Sequence, residues 1–169
     1  MDKIQNRQRI SYFSVGPCYV TIITLLAVVG IHISKMGYLS GGYFEFLRTP
    51  MSVMGTIVLG LALFLCIETV KTSRLFQQIR DNKLITTGVF AWVRNPLYTG
   101  ITLIVIGFIL RNNNLFLLPL IFIYWGAMTR LVKREEEDLE KIYGEEYRAY
   151  KSRVNCCIPW FPDRLGYKR

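Results

Sequence analysis

"FSVGPCYVTIITLLAVVGIHI", residues 13–33, holds no charged side chain and shows no polar face at helical spacing. A helix of about twenty apolar residues crosses a hydrocarbon core of roughly 30 Å, so this stretch reads as a membrane helix. Three more apolar blocks follow. Met51 to Ile67 is nearly as long and closes at Glu68, Leu97 to Leu110 is shorter, and Leu115 to Met128 comes after only "RNNN". The last two approach spanning length only when Trp92 and Val93, or Thr129 to Val132, are added. A soluble chain of 169 residues has too little interior to enclose four such helices. The expected fold is an all-α integral membrane protein with about four transmembrane helices and a C-terminal cytoplasmic helical segment. It forms a single membrane domain over residues 1–169, with two N-terminal spans and a cytoplasmic loop in 1–82. Residues 83–160 then carry the hairpin of spans three and four and the tail. Polar, basic residues precede the first block and no small-residue cleavage site interrupts it, so it reads as an anchor that stays.

The composition is 51% hydrophobic with a formal net charge of +9. Position reconciles the two, because the charges lie between the apolar blocks. Of the Lys and Arg residues, three precede the first block, five lie between the second and third, and ten follow from Arg130 onward. The other two loops hold only Lys35, Arg48 and Arg111. The positive-inside rule then places both termini and the middle loop in the cytoplasm, in a multi-pass protein. That membrane is the plasma membrane in a prokaryote and the endoplasmic reticulum in a eukaryote. Topology and anionic headgroups account for the surplus charge, and the partner implied is the lipid bilayer, with no nucleic acid.

Cys18, Cys66, Cys156 and Cys157 lack metal-site spacing, and no metal is expected. Cys18 and Cys66 fall inside apolar blocks and read as buried free thiols. The cytoplasmic placement of Cys156 and Cys157 disfavours a disulfide, and S-acylation is an alternative there. His32 ends the first block, at the interface, with no role assigned. The segment from Thr69 to Gly88 places Val70, Leu75, Phe76 and Ile79 at roughly helical spacing, which fits an extension of the second helix or a helix on the membrane surface.

Two stretches are candidates for chemistry. In "AWVRNPLYTG", residues 91–100, Asn95 is placed to cap a helix and Pro96 to open it. Pro96 to Leu110 gives roughly 22 Å of helix, about a quarter short of the bilayer core. The third helix therefore either reaches down through "GVFAWV" or starts below the headgroup level. Arg94 either snorkels to lipid phosphate or joins the free N–H groups of the helix start as a site for an anion such as a carboxylate. The second stretch, "KREEEDLEKIYGEEYRAY", continues the fourth block as a charged helix. Glu137 has Lys133 and Lys141 four residues to either side, and Asp138 has Arg134, as ordinary surface pairs. Glu135 instead has Leu131 and Leu139 at those positions, and Glu136 has Val132 and Glu140. An unpaired carboxylate on an apolar stripe is costly, so Glu135 either snorkels or meets a partner from outside its own helix. Gly144 ends the helix, and Tyr147 and Tyr150 lie one turn apart beyond it, a pattern that plain packing of the tail also explains.

Together these pieces resemble the isoprenylcysteine carboxyl methyltransferase and phospholipid methyltransferase group of integral membrane enzymes. The family signature is Arg-His-Pro-x-Tyr-x-Gly, a spacer with one membrane hairpin, then Glu-Glu-x-x-Leu. Arg94, Pro96, Tyr98 and Gly100 match the first part, and Glu135, Glu136 and Leu139 match the second. Gly88 and Phe90 are in register with the family's lead-in. The resemblance covers about residues 83–160, and the departure is Asn95 where the signature usually has His. An Asn hydrogen-bonds but does not shuttle a proton. The resemblance implies S-adenosyl-L-methionine as cofactor and a lipophilic small-molecule or lipidated acceptor. It implies Arg94, Asn95 and Glu135 as catalytic residues, and a cofactor site of Gly88, Phe90, Val93, Asn95, Tyr98, Gly100, Glu135, Glu136, Tyr147 and Tyr150. Within that site Glu135 and Glu136 are expected to bind the cofactor's ammonium or ribose hydroxyls, and Asn95 and Tyr98 its methionine part. Tyr147 and Tyr150 would close over the adenosine, and Arg94 would orient an acidic group of cofactor or acceptor. Three functions fit: carboxyl O-methylation of a prenylcysteine-like or other lipid acid, N-methylation of a phosphatidylethanolamine-type phospholipid, and a non-catalytic scaffold that kept the fold.

Overall fold

The computed structural model describes residues 2–72 and 84–158, with side chains described from Gly16 onward. The expected surface helix around Leu75, Phe76 and Ile79 lies outside the described residues. Five helices form the described chain: α1 Asp2–Lys35, α2 Glu45–Thr72, α3 Pro96–Arg111, α4 Leu118–Tyr143 and α5 Glu145–Lys151. Three stretches are long and apolar enough to cross a membrane: Gly16–Lys35, Glu45–Thr72 and Leu115–Tyr143. The fourth apolar helix, α3, is shorter. The all-α membrane architecture expected from the apolar blocks is the one observed.

α3 spans 16 residues, about 24 Å at 1.5 Å per residue, and starts at Pro96 without reaching back through the lead-in. A separate 3-10 turn covers Gly88–Ala91, so of the two expected geometries the short helix is the observed one. Its start leaves backbone polar groups that the tail satisfies. Val93 pairs with Asn155 in an isolated parallel bridge, the Arg94 N–H donates to the Asn155 carbonyl at 2.9 Å, and the Asn95 N–H donates to the Cys156 carbonyl at 3.2 Å. Non-helical backbone near a bilayer persists only where protein or water satisfies it, and here the chain itself does so.

α4 is 26 residues long, about 39 Å, so it outruns a hydrocarbon core of about 30 Å. Counted from Leu118 at 1.5 Å per residue, Glu135 and Glu136 fall near the far edge of such a core. Gly144, at φ +56°, stops it in a conformation that L side chains rarely adopt, and α5 folds back from there. α1, α3 and α4 share one core, in which Tyr19, Ile23 and Ala27 meet Val105, Ile109, Tyr124, Met128 and Val132. α2 packs on the other side of α3. There Gly55 and Gly107 bring backbone against backbone, and a Cβ at Gly55 would stand 2.8 Å from the Gly107 carbonyl oxygen.

At the end away from Arg94, the three asparagines are more than a tight turn. Asn113 adopts φ +51° and donates from Nδ2 to the Phe44 carbonyl at 3.0 Å. Asn112 and Asn114 each donate from Nδ2 to Ser34 Oγ at 2.8 Å, and Asn114 Oδ1 accepts from the Phe116 N–H at 3.0 Å. The turn thereby ties α1, the following loop and the α3–α4 hairpin together. The thiol placement differs from expectation in part. Cys18 faces outward from α1 and Cys66 is half-buried, because each lies on a helix face set by its neighbours' packing rather than by the block's overall apolarity.

Candidate active site

Arg94 sits in the non-helical link before α3, and the tail segment 151–157 folds over it. Its guanidinium grips Glu136 of α4 in a two-pronged pair, Nε to Oε1 at 2.8 Å and Nη2 to Oε2 at 3.1 Å. Both side chains are nearly enclosed, at 9% and 3% exposure. Nη1 donates to the Lys151 carbonyl at 2.9 Å and to the Val154 carbonyl. The last carbonyls of a helix have no partner within it, so Arg94 also caps α5. Burial pulls the guanidinium's proton affinity down, but the hydrogen bonds and charge of Glu136 outweigh it and hold the group charged. Lys151 adds a second cation, its Nζ 3.6 Å from Glu136 Oε2 and 3.5 Å from Glu140 Oε2.

This geometry adds a partner to each of two expected site residues. The sequence pattern points Arg94 to an acid supplied by cofactor or acceptor, and Glu136 to the cofactor. In the structure each holds the other, because the hairpin brings α4 against the start of α3 and leaves two opposite charges adjacent in an enclosed place. A two-pronged pair of this kind fixes orientation as well as charge.

Glu135 points elsewhere. The Tyr98 hydroxyl donates to its Oε1 at 2.8 Å, so its partner comes from outside its own helix. Both residues are half-buried. Behind Tyr98 stands α1: a Cβ at Gly16 would collide with the Tyr98 hydroxyl, and the Tyr19 ring meets the Tyr98 ring edge-on with centroids 6.4 Å apart. Tyr19 shares a 2.9 Å hydrogen bond with Thr102 Oγ1.

Asn95 precedes α3 as expected, but its side chain makes no capping bond. Its Nδ2 lies instead 3.4 Å from Glu136 Oε1 and 3.4 Å from the Cys156 carbonyl, both long contacts. The tail competes for it and wins, since the Cys156 carbonyl already accepts from the Asn95 N–H.

The remaining expected cofactor residues divide between packing and rim. Gly100 faces α2, where a Cβ would come within 2.6 Å of Cys66 Sγ, so its smallness serves the helix crossing. Gly88 takes φ +63° against Thr72. Val93 is fully enclosed with Leu65 and Val89. Phe90 presents its carbonyl to the Tyr150 hydroxyl at 2.7 Å. Tyr147 and Tyr150 stack edge-on, centroids 6.0 Å apart, and are buried with Val154, next to Leu84, Leu139 and Tyr143. Burial pushes both hydroxyls well above the usual tyrosine range. Tyr147 has no open face, and Tyr150 borders a surface recess of about 390 Å³ with Thr86, Ala91, Glu146 and Arg153. The expected surface pair of Asp138 with Arg134 is replaced by Asp138 with Lys141 at 2.7 Å.

Several residues that shape the site were not legible. Lys151 lies beyond the break at Gly144, so no helical spacing links it to Glu136. Thr99 donates to the Cys157 carbonyl at 3.1 Å, and Cys157 Sγ lies 3.0 Å from Cys156 Sγ. The hydrogen bond from Cys157 holds the Cys156 thiol below its ordinary range, and that same hydrogen bond, with burial, raises Cys157. Tyr19 gave no signal beyond its place in a generic apolar block. Among the described residues no group of His, Cys, Asp and Glu could hold a metal ion.

Comparison with known proteins bears on the same segment. Residues 65–146 match the description of the phospholipid methyltransferase family. A protein-S-isoprenylcysteine O-methyltransferase of Saccharomyces cerevisiae is 36% identical over 81 residues, which is 47% of this chain and 34% of the yeast protein. The enzyme of the same name in Xenopus laevis is 30% identical over 120 residues, 66% of this chain and 42% of the relative. That of Homo sapiens is 33% identical over 78 residues, 46% of this chain and 28% of the relative. The matched stretches thus span well under half the length of these relatives.

Proposed function

We propose, from the match of residues 65–146 to the phospholipid methyltransferase family, an S-adenosylmethionine-dependent methyltransferase acting on a membrane-held lipid acid, such as a prenylcysteine-like carboxylate. The observation that carries this reading is the half-buried Glu135 carboxylate, held at 2.8 Å by Tyr98 beside the start of a short membrane helix. The names of the relatives, all O-methyltransferases of isoprenylcysteine, support the carboxyl acceptor.

The donor set fits the cofactor. Glu135, its direction set by the Tyr98 hydroxyl, is a carboxylate of the kind that accepts from an ammonium or a hydroxyl. Bound there, the cofactor supplies an electrophilic methyl group on a cationic sulfur. Glu135 anchors it, and Tyr98, backed by Tyr19 and Gly16, fixes the carboxylate's direction. Arg94 and Glu136 are positioning residues: they lock the tail onto the α3 start and hold Asn95 beside Glu135's helix. A carboxylic acid acceptor is already ionised near neutral pH, so no side chain has to remove a proton. Asn95 in place of His is compatible with that economy. What remains is alignment of the reacting groups and exclusion of water, which favours a transition state in which the opposite charges are dispersed.

The family's description favours a second reading, N-methylation of a phospholipid amine. That acceptor arrives protonated and requires a base, for which Glu135 is the side chain in place. Two measurements test these readings. Titration of the purified protein in detergent with S-adenosylhomocysteine is expected to show binding that Glu135→Gln weakens tenfold or more, the worth of a hydrogen bond to a charged group. No binding by the parent protein would sink both enzyme readings and leave a scaffold, and binding indifferent to Glu135→Gln would move the site elsewhere. Labelled methyl transfer into lipid extracts is expected to yield a base-labile ester, whereas an alkali-stable product would replace the carboxyl reading by the amine one.

A further inference from the structure

α1 and α3 run parallel and are joined at one end around Gly16 and Tyr19 and at the other through Ser34 and Asn112. Around Gly16 and Tyr19 the crossing is shut by the Tyr98 ring and by the bond from Tyr19 to Thr102. Between these two ends the outer faces of the helices leave a groove of about 450 Å³, within the range of pockets that hold ligands. Ala27, Ile31, Ile101, Ile104, Val105 and Phe108 form its walls, and His32 and Lys35 stand at its far end. Val28 and Phe108 on the rim are 60% and 53% exposed, so the groove opens sideways into what surrounds the helices. From Thr24 to Lys35 it runs about 16 Å along α1, half of a hydrocarbon core of about 30 Å and thus the depth of one leaflet.

We propose that this groove binds an anionic phospholipid of the leaflet opposite Arg94 and Glu136, with one acyl chain between α1 and α3 and the headgroup on Lys35. Walls this apolar give water too few partners, so hydrocarbon is the filling that suits them. The charge at the mouth selects the headgroup. Arg48, at the same end of the bundle, is paired with Glu45 at 3.1 Å, whereas no carboxylate among the described residues pairs with Lys35. A lysine ammonium draws a headgroup of net negative charge by Coulomb attraction. The closed floor separates this lipid from Tyr98 and Glu135, so it is a resident of the fold and not the methyl acceptor. The site does not depend on the chain's being a methyltransferase.

Native mass spectrometry of the detergent-purified protein, given equal phosphatidylglycerol and phosphatidylcholine, tests this directly. One phosphatidylglycerol per chain is expected to be retained in preference to phosphatidylcholine. Lys35→Ala, at an exposed position, should cut that preference about fivefold by removing one surface cation. Ile104→Trp should displace lipid of both kinds by filling the groove, while Val53→Trp on the exposed face of α2 should change nothing. Equal retention of the two lipids by the parent would overturn the headgroup assignment. Retention by Ile104→Trp equal to the parent's, or loss in Val53→Trp as well, would overturn the groove.

Discussion

Arg94 and Glu136 are worth more as a pair than either is alone. Both are nearly enclosed, and a charge left in such a place without its partner is strongly disfavoured. Arg94→Met or Glu136→Leu alone is therefore expected to destabilise the protein by about 3–5 kcal/mol, with Arg94→Met the worse because it also frees the Lys151 and Val154 carbonyls. The double variant should recover much of the loss, since two apolar groups leave no orphaned charge. Thermal unfolding in detergent reads this, and additive losses in the double variant would refute the coupling. Glu135→Gln should stay within about 1 kcal/mol of the parent, because the amide oxygen still accepts from Tyr98. At this scale the sequence was half informative. The apolar neighbours Leu131 and Leu139 left Glu135 either to snorkel or to meet a partner beyond its helix, and Tyr98 is such a partner. For Glu136 the spacing carried nothing about an arginine 42 residues away, so Arg94 was matched to an external acid.

Between elements, the decisive contact is α2 on α3, and glycines make it. A Cβ at Gly107 would lie 2.6 Å from Leu59 Cγ and 3.1 Å from the Gly55 carbonyl oxygen, and one at Gly100 would meet Cys66 Sγ and the Ala62 carbonyl. Small residues at such crossings let helices in lipid gain packing that the hydrophobic effect does not supply there. Gly107→Val and Gly100→Val are each expected to cost about 1–3 kcal/mol through overpacking, and Gly60→Ala, with open space around it, should be neutral or slightly stabilising. Thermal unfolding again decides, and unchanged midpoints for both valine variants would mean that the two helices can separate freely. The apolar blocks showed that these helices exist but not which faces meet, so Gly100 was assigned to the pocket by motif alone. The short α3 was foreseen as one of two geometries. What selected it was the tail, whose carbonyls at Asn155 and Cys156 accept from the backbone of Arg94 and Asn95, and no periodicity within residues 88–111 contains that information.

Over the whole molecule the bundle has two chemically different ends. Gly16 against Tyr98, Thr72 against Gly88, and Arg94 against Glu136 lie at one end, while Ser34 with Asn112 and Asn114 lies at the other. Among the described residues, most Lys and Arg, including Lys71, Arg94, Lys141, Arg148 and Lys151, belong to segments at the first end, and only Lys35, Arg48 and Arg111 belong to the second. Positively charged segments near membrane helices stay on the cytoplasmic side, so the first end is expected to face the cytoplasm. A chain with its own cysteines replaced, carrying Tyr38→Cys at a position 78% exposed, should react with a membrane-impermeant maleimide in intact cells. The same background carrying Lys141→Cys, where the side chain is 67% exposed, should react only after permeabilisation. The reverse pattern would invert the orientation. It would also move the Glu135 site away from the cytoplasm, where a soluble cofactor is available, so the labelling experiment bears on the enzyme reading as well as on topology.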